Sequence, residues 1–165
     1  YSTKVCSWLG VLPTSSGNHM ATTLHPLTDD YPHADVGTIG DAAQTLHFEL
    51  HQIGYSLLLD DVIDVLVAAA TSYSAHTAFE VQTTATAPIT LDRYLPITAM
   101  EWELMQPLCR AHCAVLQARR MDGTASLNGM PFGLSVSEAE TAYTQEQNEF
   151  AKAVFCAAPF TLELD

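Results

Sequence analysis

Between Asp61 and Tyr73 the chain places apolar side chains on nearly every side of a helix, and no other segment constrains the fold as much. Val62, Ile63, Val65, Leu66, Val67, Ala69, Ala70 and Tyr73 cover most of the cylinder, leaving Asp61, Asp64, Ala68 and Thr71 as the polar or small stripe. A helix apolar on so many sides is central to its domain or covered by a partner. Asp60 is placed to cap its free amides, and Asp61 and Asp64 suit its positive end. The pattern predicts a first principal helix over about 61–77.

Two further helices follow from the same 3.6-residue logic. Thr98 and Glu101 have capping-box spacing after Pro96, which predicts a helix over about 98–121, ending before Gly123. Trp102, Met105, Leu108, Cys109, His112, Cys113 and Leu116 form its apolar face; Glu103, Arg110 and Gln117 form the wet one. Pro107 removes one backbone bond inside it and predicts a kink or break. Ser135 with Glu138, and Ser137 with Glu140, are overlapping capping boxes opening a third helix over about 137–157, which Pro159 stops.

The remaining pattern is short. Residues 45–51 alternate, Leu46, Phe48 and Leu50 against His47, Glu49 and His51, which predicts a half-buried strand. A short helix with His47 and His51 one turn apart is the competing reading. Residues 79–84, 89–91 and 160–164 have strand character. Residues 1–43, punctuated by Pro13, Gly17, Pro26, Pro32, Gly37 and Gly40, hold neither period and are read as an extended arm, either folded over its own domain or docked on a neighbouring subunit, leaving 44–165 as a single helical domain. The expected class is mainly α with a small β component.

Composition narrows what such a domain does. Apolar residues make up 48% of the 165 and charged residues 15%, against about 25% in ordinary soluble domains. Few charges leave little surface reserved for water, which points to assembly. Net charge is −13, and the basic residues are only Lys4, Arg93, Arg110, Arg119, Arg120 and Lys152. Without a basic patch, tight nucleic-acid binding and adhesion to an anionic membrane are not expected. An acidic wall could still face passing DNA without gripping it. No apolar run approaches the roughly 18 residues of a membrane span. The apolar run Val5–Leu12 is short, follows only Lys4 and precedes no cleavage pattern, so no signal peptide is expected. Cys6, Cys109, Cys113 and Cys156 are read as reduced thiols acting as small apolar groups.

Three constellations could carry chemistry. Asp60-Asp61-Val62-Ile63-Asp64 spells DDxxD, a pattern that in isoprenoid synthases holds magnesium against a diphosphate; oxygen ligands one helical turn apart suit a hard cation. Helix-start acids favoured by the dipole explain it better, since the chain is much shorter than those enzymes, has no second acidic motif and has almost no Lys or Arg for a diphosphate. Cys109, His112 and Cys113 share one helix face and are zinc-ligand types, or else small soft core residues. His47 and His51 would stand roughly 13 Å apart on a strand, too far to share an ion, and only the helical reading would join them. There is no G-x-S-x-G elbow, no G-x-x-x-x-G-K-[ST] loop and no G-x-G-x-x-G loop. These motifs leave open a magnesium- or zinc-dependent small enzyme, and an acidic module that binds a basic protein partner.

The segments Leu57-Leu58-Leu59-Asp60-Asp61-Val62-Ile63-Asp64, Thr90-Leu91-Asp92-Arg93-Tyr94-Leu95-Pro96-Ile97, Glu101-Trp102-Glu103-Leu104-Met105-Gln106-Pro107-Leu108 and Phe132-Gly133-Leu134-Ser135-Val136-Ser137-Glu138 give residues 56–164 a resemblance to small virion proteins of tailed bacteriophages, of the head–tail connector, adaptor or neck type. It leaves the arm, residues 1–43, unexplained. The resemblance implies a helical subunit, assembled in the host cytoplasm, that forms a ring under the portal. That ring would join portal and tail or neck proteins and pass genomic DNA, with neither catalysis nor cofactor. Its docking residues are expected to be Val62, Leu66 and Tyr73 of the first helix, Trp8 and Leu9 of the arm, and Phe160 and Leu162 near the C-terminus.

Overall fold

A computed structural model describes residues 35–128 and 134–157. In chain order these form β1 (Asp35–Thr38), α1 (Ile39–Gln52), α2 (Leu59–Ser74), α3 (Glu80–Thr84), β2 (Pro96–Thr98), α4 (Ala99–Asn128) and α5 (Val136–Ala157). The described residues are mainly helical with one two-stranded antiparallel sheet, the class the periodicities predict.

The first correction concerns residues 35–51. Residues 35–43 do not belong with an arm: they form β1 and the first turn of α1. The alternation over 45–51 is part of α1 rather than a strand. Ile39, Ala42, Ala43, Leu46 and Leu50 are buried at helical spacing, while Phe48 is exposed. Leu46 and Leu50 satisfy both periods, and only the residues before 44 separate them. Thr38 caps α1: its hydroxyl oxygen accepts from Asp41 N at 3.2 Å, and Asp41 Oδ2 accepts from Thr38 N at 2.9 Å. The Thr38 N–H first, and then the Thr38 hydroxyl at 2.7 Å, donate to Asp41 Oδ2 and hold its carboxyl below its usual range.

The sheet sits where neither strand was expected. Asp35 pairs with Thr98, Gly37 with Ile97 and Thr38 with Pro96, with an irregularity between Asp35 and Gly37. Gly37 has φ +105°, and a Cβ there would lie 2.9 Å from Asp41 Oδ2. Glycine lets the bulged strand turn directly into the capped helix. Gly40 allows a second close approach, since its N donates to Arg93 O at 2.8 Å and a Cβ would stand 3.1 Å from that oxygen. The strands expected at 79–84 and 89–91 are absent. Residues 80–84 are α3, entered through Phe79, whose N donates to Gln82 Oε1 at 2.7 Å; residues 89–91 pair with nothing in a sheet.

The three expected helices are present with shifted ends. α2 starts two residues early, so its cap is not Asp60: Asp61 Oδ2 accepts from Leu58 N at 2.8 Å. The Thr98–Glu101 box forms, and so does the Ser135–Glu138 box. Ser135 bonds hold the Glu138 carboxyl below its usual range. Of the second pair, Glu140 instead meets Arg119. α4 passes Pro107 without a break and continues past Gly123. Pro107 and Glu103 are both exposed, so the carbonyl freed by the missing N–H lies on the wet side.

α4 packs against α2 on one side and α5 on another, and α1 packs on α2. The main core joins Ile39 and Leu46 of α1, Val62, Val65 and Leu66 of α2, Trp102, Met105 and Cys109 of α4, and Phe150 and Val154 of α5. A smaller cluster, Val115, Ala118 and Ala139, closes the far part of the α4–α5 pair. The expected strand at 160–164, with Phe160 and Leu162, lies outside the described residues, as do Trp8 and Leu9.

Candidate functional site

The charge census comes first, because it limits every ligand. Arg110 pairs with Glu49, Arg119 with Glu140 at 2.8 Å, and Lys152 with Glu149 at 2.8 Å. Arg120 meets Asp61 at 2.6 Å and donates to Ser56 O at 2.9 Å. Arg93 lies over the Tyr94 ring, 5.9 Å from its centroid. Each described Arg and Lys is thus engaged within the chain, and they form no cluster for phosphate. These exposed pairs contribute little stability, about 0–1 kcal/mol each. What they do is leave the unpaired acids to set the surface field.

The acidic motif of α2 is split by its surroundings. Asp61 is held by Leu58 N and Arg120, while Asp60 and Asp64 are exposed. The second trio is split by burial. Cys109 and Cys113 are fully buried in the core. Burial pushes both thiols up, Cys113 to about 12. Thiols held protonated in this way are inert. Among the described residues no group of three or more His, Cys, Asp and Glu is arranged to hold a metal ion.

His112 is instead a packing residue between α4 and α5, its ring stacked on Tyr143 with centroids 4.8 Å apart. Burial, and secondarily the Arg119 guanidinium, hold its pKa below the ordinary 6.5. The unfolded chain therefore binds this proton more readily than the folded one. Stability from neutral His112 is present above about pH 6.5 and is lost as pH falls through the lowered folded value. His112→Gln is expected to flatten that limb of a urea-stability profile measured against pH. An unchanged pH slope in the variant would refute this assignment.

Val62, Leu66 and Tyr73, expected on a docking face, are not on one. Their exposures are 0%, 2% and 6%, all inside the chain's own core. Tyr73 packs on Phe79 with ring centroids 4.7 Å apart, and burial with the nearby Glu101 and Glu80 charges pushes its hydroxyl to about 12. α2 is thus the central helix, covered by α1 and α4 rather than by a partner.

The exposed apolar surface lies elsewhere. A groove of about 260 Å³ is lined by Ile53, Tyr55, Ala114, Ala118, Met121 and Leu134, with Gly54 and Gln117 completing it. Ile53 is 69% exposed and Leu134 60%, and Leu58, on the same α1–α2 connection, is 65% exposed. The connection is fixed in place: Gln117 Oε1 accepts from Ser56 N at 2.9 Å, and Arg120 reaches Ser56 O. Gly54, at φ +93°, makes the turn that projects Ile53 outward. The sequence signal for this site is modest: Ile53, Leu57 and Leu58 occupy a six-residue connection where polar residues are usual. A larger hollow of about 760 Å³ runs along Thr141, Thr144, Gln145, Asn148, Glu149 and Lys152, on the wet face of α5 alone.

His47 and His51 share a helix face, as the competing helical reading of residues 45–51 has them, with ring centroids 6.2 Å apart. No helix of the described residues is long and apolar enough to cross a membrane. Comparison with protein-family models, curated proteins and solved structures finds no match to this chain.

Proposed function

We propose that this chain is a structural virion protein, a subunit of a homo-oligomeric ring that joins the portal and head of a tailed bacteriophage to its tail and lines the DNA passage. Its neighbours are copies of itself, the portal protein and tail or neck proteins, and its work needs neither catalysis nor a cofactor. One observation carries the reading: an exposed apolar groove flanked by Ile53 and Leu134, on a connection held by Gln117 and Arg120, beside a central helix already buried. Apolar side chains exposed to this degree around a groove are what a protein contact covers. The engaged cations and the net charge of −13 suit a passage wall that repels phosphate.

The test is native mass spectrometry of the protein alone and with its portal partner. A ring or a portal-bound complex is expected, and the double variant Ile53→Asp, Leu134→Asp is expected to stay helical and monomeric. Unpaired charges at the centre of a contact cost several kcal/mol, so assembly should need at least roughly a hundredfold more protein. Monomers at every salt concentration, with portal present, would end the proposal. Assembly undiminished in the double variant would move the contact off this groove.

A further inference from the structure

The helical geometry of α1 brings together two imidazoles that a strand would hold apart. His47 and His51 are one turn apart, with ring centroids 6.2 Å apart and planes inclined at 39°. His47 Nε2 lies 3.1 Å from the carbonyl oxygen of Leu57. A carbonyl only accepts, so Nε2 carries the proton, and in the neutral ring Nδ1 keeps its lone pair. That is the arrangement that orients histidine ligands: one ring nitrogen donates to the main chain and the other faces the ion. Leu57 is itself buried in the core, so the anchor is rigid. His51 is exposed, and its ring already lies beside that of His47.

We propose that His47 and His51 form a two-imidazole chelate for a first-row divalent transition metal, with water filling the other positions. Metal–nitrogen bonds of about 2.0–2.1 Å would place the ring centroids roughly 5 Å apart, so the rings need close by only about 1 Å. Neutral imidazole selects Cu²⁺, Ni²⁺ and Zn²⁺ over Mg²⁺ and Ca²⁺, and the expected order places Cu²⁺ above Zn²⁺. Glu49, between the two histidines in sequence, is engaged with Arg110 and supplies no oxygen ligand. With two protein ligands the site is open and exchangeable, unlike a closed structural centre.

The experiment titrates the full chain with CuCl₂, ZnCl₂ and MgCl₂ in a non-coordinating buffer. Calorimetry gives stoichiometry, and paramagnetic broadening of imidazole NMR signals gives location. His19, His25 and His33 are replaced by Gln throughout, so that competing imidazoles do not obscure the result. One equivalent of Cu²⁺ is expected, bound more tightly than Zn²⁺, with no Mg²⁺ binding and with broadening centred on His47 and His51. His51→Gln is expected to weaken Cu²⁺ at least tenfold with helicity unchanged, and His76→Gln to leave it as it was. Broadening centred on His76 or His112, or undiminished Cu²⁺ affinity in His51→Gln, overturns the site. Because His47→Gln also removes the bond to Leu57, the His51 variant decides the matter.

Discussion

Replacing Glu101 with Ala is expected to lower the unfolding free energy by about 2–4 kcal/mol, although Glu101 is a charged residue in an acidic protein. Its carboxylate is 4% exposed. Oε2 accepts from Thr98 N at 2.7 Å, and Oε1 accepts from Glu80 N at 2.7 Å. One side chain therefore ties together the end of β2, the start of α4 and the start of α3. Truncation leaves a buried main-chain donor at Thr98 and a half-buried one at Glu80, each worth about 1–3 kcal/mol when unsatisfied. Glu101→Gln keeps one acceptor and turns an amide donor toward the other N–H, so an intermediate loss is expected. Equilibrium urea unfolding measures both. Losing the nearby charge in Glu101→Gln should also bring the Tyr73 hydroxyl down toward its ordinary value, which titration of tyrosinate absorbance reads independently. An Ala variant within about 0.5 kcal/mol of wild type, the usual scatter of an unimportant surface site, would contradict the clamp.

A second large effect is expected at Leu46. Leu46→Ala should cost about 2–5 kcal/mol, because the side chain is fully buried and its removal leaves a cavity in the main core. Phe48→Ala, two residues away and 44% exposed, should cost under about 1 kcal/mol. The pair decides the geometry of residues 45–51 by experiment: a strand would put both side chains on one face and make both substitutions costly. Chemical denaturation with an unchanged m-value is the measurement. Equal costs at the two positions would overturn the helical register.

The proposed function had a different basis from the fold. It rests on the exposed groove, with a resemblance of four segments and the charge balance beside it; of the residues expected to dock, Val62, Leu66 and Tyr73 are buried within the chain, while Trp8, Leu9, Phe160 and Leu162 lie outside the described residues. Val62, Leu66 and Tyr73 suggest a docking face from sequence because their helix is apolar nearly all round. That property says the helix must be covered, and it is silent on whether the cover is another helix of the same chain. Ile53 and Leu134, which line the exposed groove, are 81 residues apart in sequence and meet only because α4 and α5 pack beside the α1–α2 connection. The two histidines of α1 show the same limit, since their separation depends wholly on which of two periods the backbone adopts.

Three long helices, two of their capping boxes and the mainly helical class were legible in the amino acids alone, because helical periodicity and caps are contacts between residues three or four apart. Tertiary structure decided where the two strands fall, since β1 and β2 pair across about 60 residues and depend on Gly37 adopting a positive φ. It also decided that Leu46 and Leu50 belong to a helix, that Asp61 meets Arg120, and which apolar side chains stay uncovered. Pairing, burial and exposure are relations between elements distant in sequence, and only packing the elements together assigns them.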